Sequence, residues 1–264
     1  SFVVDENRLI GTAKITIEPG KDFTLSFHGL SITGSLLRYE NGSEHELLDL
    51  QEVLILPPAD KTRTLFLSYE KQVVNEFDNL ISPAGISLTS SWFPVPEDPM
   101  SFKLNAFLPE NFQAIVEAEE FPLSRKGNSL TAHFSQPATA LHFTAGPYLT
   151  DRKMVRDGLY VYSMFFQEDK DLAEEYLEAA AGYINRYEKE IGPFPYNHYV
   201  IVANRLPTGY GMPTYTLLGQ MVLRLPFIKD TSLGHEIVHS WFGNAVRVDV
   251  SEGNWCEGLT AFLA

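Results

Sequence analysis

The run His235-Glu236-Ile237-Val238-His239 sets two imidazoles four residues apart. On a helix, residues i and i+4 stand one above the other on the same face. Both rings then reach one ion at about 2.0–2.1 Å, the zinc–nitrogen bond length. Glu236 lies one step round the helix, close to such an ion but poorly aimed to bind it, which is the place of a general base for a zinc-activated water. A catalytic zinc needs at least one more protein ligand, commonly a carboxylate from a following helix. Asp249 falls in the strand-like stretch 246–250 and Glu252 in the polar turn 251–254, whereas Glu257 opens a helical pattern over 257–263 in which Leu259, Phe262 and Leu263 supply an apolar side. The expected ligands of one Zn2+ ion are therefore His235, His239 and Glu257, with Glu236 catalytic.

The elements that must position these groups are legible around them. Asp230, Thr231 and Ser232 offer an N-cap for the histidine helix. Ile237, Val238 and Trp241 give it an apolar side, and Gly243-Asn244 stops it. Upstream, 199–203 reads as a buried strand, followed by the glycine-rich segment Gly209, Tyr210, Gly211, Met212, Pro213 and Thr214, the candidate strand edge for a substrate backbone. A further apolar run covers 220–225. A strand at 159–165 precedes a long helix beginning near Asp169 or Asp171. Leu172, Tyr176, Ala180, Ile184, Tyr187 and Ile191 recur there at three- and four-residue steps, Asp171 with Glu174 resembles a capping box, and Gly192-Pro193 ends the helix.

Residues 1–150 have a different texture, with short alternating runs cut by turn residues, the mark of antiparallel strands. The runs 13–18 and 23–27 about Pro19-Gly20-Lys21-Asp22 read as a hairpin, and so do 36–40 and 44–48 about Asn41-Gly42. Strands are expected at 64–69, 102–107, 113–118 and 130–134, and the proline-rich 92–99 reads as a loop. The expected fold is α+β: an N-terminal antiparallel β domain over 1–150, then the mixed α/β segment 151–264.

Composition narrows the partners. The 264 residues carry a net charge of −14 and no Lys/Arg cluster of the kind that tracks a phosphate backbone, which argues against nucleic acid. Hydrophobic residues make up 44%, so a sizeable core can form. The lone Cys256 excludes an intrachain disulfide and reads as a small packed residue. No apolar run approaches the roughly 20 residues that span a bilayer, so a soluble chain is expected, cytoplasmic or exported with a leader removed before residue 1. His133, His142 and His198 lie in or beside strand patterns and read as structural.

With these residues in hand, the chain resembles the aminopeptidase N-like gluzincins, a family of zinc metallopeptidases. The histidine helix runs on through His239-Ser240-Trp241-Phe242-Gly243-Asn244, the ligand Glu sits in Trp255-Cys256-Glu257-Gly258-Leu259, and Trp92-Phe93-Pro94 is similar to a motif of the family's β domain. The resemblance implies a thermolysin-like catalytic domain over 151–264, a peptide substrate, and a helical region beyond Ala264 that completes the cleft and supplies a Tyr to the transition state. Losing one such donor costs roughly 3–4 kcal/mol, so this 264-residue stretch is expected to bind zinc and to hydrolyse peptides weakly or not at all. The spacer 240–256 is one residue shorter than the family's common length. Where the family has Gly-x-Met-Glu-Asn, whose Glu holds the free amine of a substrate, this chain has Tyr210-Gly211-Met212-Pro213-Thr214, with Pro213 in the place of that Glu. The altered motif leaves room for a zinc-binding hydrolase of another class, or for a binding module with a dead site.

Overall fold

A computed structural model describes residues 1–74, 76–249, 251 and 253–264. The chain forms two compact units, Ser1–Glu110 with Arg125–Thr144, and Asn111–Ser124 with Ala145–Ala264. Segment Asn111–Ser124 therefore joins the second unit although it lies within the first half of the sequence.

In the first unit the long strands Arg8–Ile17 and Arg63–Gln72 pair antiparallel from Arg8↔Gln72 to Ile17↔Arg63. Ser31–Tyr39 flanks Arg63–Gln72 on its other side. Every second residue of Arg63–Gln72 is buried, as the two-residue period of a strand requires. A separate sheet sets Phe23–Ser26 between Val95–Pro96 and Val53–Leu56. Ile17, Leu37, Leu65 and Leu67 of the first sheet meet Leu25 and Leu56 of the second in one core.

That core explains why one expected hairpin does not form. The strands on either side of Pro19-Gly20-Lys21-Asp22 exist, but the turn hands the chain from one sheet to the other, so Ile17 and Leu25 meet face to face across the core instead of pairing edge to edge. The Asn41-Gly42 hairpin does form, with Arg38 opposite Glu44 and Gly42 at φ +84°. The loop expected over 92–99 contains a two-residue strand, Val95–Pro96, and it lies on a sheet edge, where a proline's missing N–H costs no ladder bond. The run expected at 113–118 is a strand only over Gln113–Ile115.

The second unit is built on a five-stranded sheet in the order Leu149–Arg156, Leu159–Phe165, His198–Asn204, Tyr215–Gly219, Gly209–Gly211. His198–Asn204 runs parallel to both of its neighbours and is buried along its whole length, which accounts for its unbroken apolar character. Helix α1, Ala173–Glu190, lays Tyr176, Ala180, Ile184 and Tyr187 into the core. The capping box expected at its start is absent: the helix grows out of a 3₁₀ turn over Gln167–Leu172, and no side chain caps it. The buried Asp169 instead accepts from Arg224 Nε at 2.9 Å and Gln220 Nε2 at 2.6 Å. The run 220–225 begins as the short helix α2, Gln220–Leu223. Helices α3, Ser232–Val238, and α4, Cys256–Leu263, complete the unit.

The expectation of an α+β chain whose second half is a thermolysin-like α/β peptidase domain is corrected by this architecture. The chain is 43% strand and 19% helix, and its described residues form five sheets, which makes it a β-rich fold. Among the described residues, the helical texture after Gly158 resolves into one 18-residue α-helix and three α-helices of four to eight residues, with short 3₁₀ turns beside them. Strands with weak local signals, Tyr215–Gly219 among them, take up part of the rest. Among the described residues no helix is long and apolar enough to cross a membrane.

Helix α3 is pressed against α1 at Gly234. A Cβ there would sit 2.8 Å from Tyr183 Cε1 and 2.9 Å from Tyr187 Oη. Gly234→Ala is therefore expected to destabilise the second unit by about 1–3 kcal/mol, the usual cost of overpacking. Urea unfolding would check this, and a midpoint equal to that of the parent protein would disprove it.

Candidate metal centre

Helix α3 carries His235 on its body and His239 at its C-cap, where the backbone is still right-handed helical (φ −58°, ψ −20°). The i, i+4 stacking therefore survives to the helix end. Thr231 occupies the N-cap position but makes no capping bond; its hydroxyl donates to the Phe227 carbonyl at 2.8 Å. Beyond the helix, Trp241 Nε1 donates to the carbonyls of Gly192 and Pro193 at 3.1 and 3.0 Å, which bolts the end of α3 to the end of α1. Gly243, at φ +101°, then turns the chain. The strand expected over 246–250 is not formed in its described part, where Val246 makes only an isolated bridge with Phe242; Val250 lies outside the described residues.

The structure brings together the three expected ligands. His235 Nε2 and His239 Nε2 are 3.1 Å apart, and the two oxygens of Glu257, on the first turn of α4, lie 3.3 Å from His235 Nε2 and 3.4 Å from His239 Nε2. A tetrahedral ion with bonds near 2.0–2.1 Å separates its ligand atoms by about 3.3 Å, so the two imidazole nitrogens and the Glu257 carboxylate, each oxygen near a different ring, stand at spacings compatible with one shared ion. His239 Nδ1 lies 3.1 Å from the Phe242 carbonyl. A proton held on Nδ1 by that carbonyl leaves the Nε2 lone pair facing the other two donors, the usual outer support of a metal-binding histidine. Burial and the neighbouring His239 push the His235 pKa down, with Glu257 opposing, so its neutral, ligating form is favoured.

The two other carboxylates weighed for the third position do not join the cluster. Asp249 Oδ1 accepts from the amide and hydroxyl of Ser251 at 3.0 and 2.6 Å in a local turn. Glu252 lies outside the described residues.

Glu236 points the other way round the helix, toward the edge strand Gly209–Gly211. A Cβ on Gly211 would sit 2.7 Å from Glu236 Oε2 and 3.1 Å from His239 Cβ. A side chain at Gly211 would push the Glu236 carboxylate aside and press on His239 Cβ, so the glycine leaves the carboxylate this position. Burial, reinforced by the charge of Glu257, raises the Glu236 pKa to about 7.

The six candidate substrate-binding residues separate into two groups. Gly209, Tyr210 and Gly211 form the outermost strand, antiparallel to Tyr215–Gly219 with Tyr210 opposite Leu217. Met212 N donates to Tyr215 O, and Gly219 N donates to Thr208 O. By the alternation of an antiparallel ladder, Tyr210 faces the sheet while Gly209 and Gly211 turn their N–H and C=O groups outward. Met212 and Thr214 are buried, and Pro213 is half-buried in the turn between the two strands. The docking edge is therefore shorter than the six-residue segment expected from sequence.

Outside the cluster, His198 is buried, its ring stacks on Phe121, and burial lowers its pKa to about 4, the behaviour of a structural imidazole. Cys256 is buried with Sγ 3.7 Å from His239 Nδ1, and burial raises its pKa, so it is not activated as a nucleophile. Sequence reasoning passed over two groups near the centre, the Phe242 carbonyl and the Asn244 side chain. The only local signal for either was the helix stop at Gly243.

No model of a known protein family matches the chain, and no curated protein matches it.

Proposed function

We propose that this protein is a zinc-dependent metallopeptidase in which His235, His239 and Glu257 hold the ion and Glu236 is the general base. The observation that carries the reading is the cluster of two imidazole nitrogens 3.1 Å apart with the two oxygens of Glu257 at 3.3 and 3.4 Å from them, and a half-buried carboxylate one helical step away beside an edge strand. When bound in such a site, zinc supplies Lewis acidity, which polarises a carbonyl and acidifies a water.

The protein's own groups supply the rest. An extended peptide laid along Gly209–Gly211 bonds to the outward groups of Gly209 and the amide of Gly211, the two glycines let its backbone come close, and its carbonyl is carried past Glu236. The Glu236 carboxylate takes the proton of the attacking water and returns it to the departing amine. A base with a pKa near the working pH is the effective kind. The resemblance to aminopeptidase N-like peptidases supports the same roles. Pro213, standing where that family holds the substrate's free amine, favours a site that does not require an unblocked N-terminus.

The test is a panel of N-blocked and free peptides offered to the zinc-loaded protein. Slow cleavage of both kinds is expected from this stretch, which lacks the transition-state Tyr that the resemblance places beyond Ala264, and it should be lost on chelation and restored by zinc. Failure to take up zinc, or cleavage that survives its removal, would refute the assignment. A metal-dependent hydrolysis confined to esters or phosphoesters would move the protein to a different class of zinc hydrolase.

A further inference from the structure

Asn244 follows the turn glycine that ends the ligand helix, yet its side chain acts on two elements at once. Its Nδ2 donates to the His239 carbonyl at 2.9 Å and to the Gly211 carbonyl at 3.3 Å. The first acceptor is a carbonyl of the last helical turn, which has no partner within the helix. The second is an outward-facing carbonyl of the edge strand, 33 residues away in sequence. One planar amide thus spends both of its protons on the two backbone segments that flank Glu236.

We infer that Asn244 is a positioning residue that locks the edge strand to the ligand helix and fixes the gap between the substrate edge and the metal centre. The inference rests on the function proposed above for its substrate side, and on hydrogen-bond geometry alone for its metal side. The separation it controls is small and unforgiving. Glu236 Oε2 already stands within 2.7 Å of where a Gly211 Cβ would be, so a strand free to drift by an ångström changes which substrate atom the base meets. At its other end the amide holds the backbone of His239, whose ring must keep Nε2 toward its two co-ligands and Nδ1 toward Phe242. Asn is suited to this and Asp is not, since a carboxylate of the same shape has no proton for either carbonyl.

The experiment compares the parent protein with Asn244→Ala, Asn244→Asp and Asn244→Ser, using zinc alone as the first probe and amide hydrogen exchange as the second. Asn244 holds only the backbone of a ligand, so its loss is expected to act at the lower end of the roughly 10–100-fold fall in metal affinity that follows loss of an outer partner of a ligand side chain. Asn244→Ala and Asn244→Asp are expected to weaken zinc binding by about tenfold and to speed exchange at Tyr210 and Met212 by about tenfold, with Val200 and Val202, which pair with the inner side of Tyr215–Gly219, unchanged. Asn244→Ser, which keeps one donor, should fall between. On a cleaved peptide, the Ala variant should lose kcat with KM held within about twofold.

Zinc affinity within twofold of the parent protein, or unchanged exchange along Gly209–Gly211, overturns the inference. Exchange that rises equally across the whole second unit overturns it as well, since that marks general destabilisation. If the parent protein cleaves no peptide while the zinc and exchange effects appear, the peptidase assignment falls and the positioning role stands.

Discussion

Glu236→Gln is expected to lower peptide hydrolysis by about 10²–10⁴-fold, the usual contribution of a general base, while the protein still takes up one zinc ion. The substitution keeps the size of the side chain and its place above Gly211 but removes the group that accepts a proton. Because Glu236 is not among the three donors that cluster, zinc uptake should hold. Measuring kcat together with metal stoichiometry separates the two roles. Loss of zinc in the variant would make Glu236 a ligand; full activity with zinc retained would remove it from the mechanism.

The second large effect concerns the metal itself. His239→Ala should weaken zinc binding by more than about 100-fold, since even the loss of an outer partner costs 10–100-fold. Asp249→Ala, at a carboxylate that stays in its own turn, should leave affinity unchanged. The same contrast should appear in stability. A ligand that binds only the folded state at about 1,000 times its Kd stabilises that state by about 4.1 kcal/mol. Zinc should therefore raise the unfolding temperature of the parent protein and of Asp249→Ala, and leave His239→Ala nearly unmoved. The gain should concentrate in α4, because an eight-residue helix is marginal by itself and Glu257 ties it to α3 through the ion. Calorimetric titration and thermal unfolding with and without zinc decide the matter. A His239→Ala variant that responds to zinc like its parent would break the ligand assignment.

Both sets of expectations depend on residues that local sequence identifies well. The i, i+4 spacing of His235 and His239 needs only that the helix exist, and even a seven-residue helix keeps both rings on one face. Glu257 was separable from Glu252 because a helical pattern and a turn signal are both short-range. Pairing across the fold was not legible. The runs about Pro19-Gly20-Lys21-Asp22 have correct strand periodicity, but periodicity says which face is apolar and nothing about which neighbour the strand takes. The α/β reading of residues 151–264 failed for a related reason. Tyr215–Gly219 owes its place to burial between His198–Asn204 and Gly209–Gly211, a condition set by tertiary structure. The Asn244 contact likewise joins residues 33 positions apart and leaves no trace in either local segment.

The short edge strand has a bearing on self-association. An exposed strand edge is a template on which another copy of the same protein can add a strand, and aggregation begins there. Here the edge is three residues long, Asn244 already occupies its last outward carbonyl, and the next outward position is Pro213, which has no N–H to offer. Gly209 and the amide of Gly211 are what remains open. That is enough to hold a few residues of an extended peptide, and too little for a neighbouring sheet to grow upon.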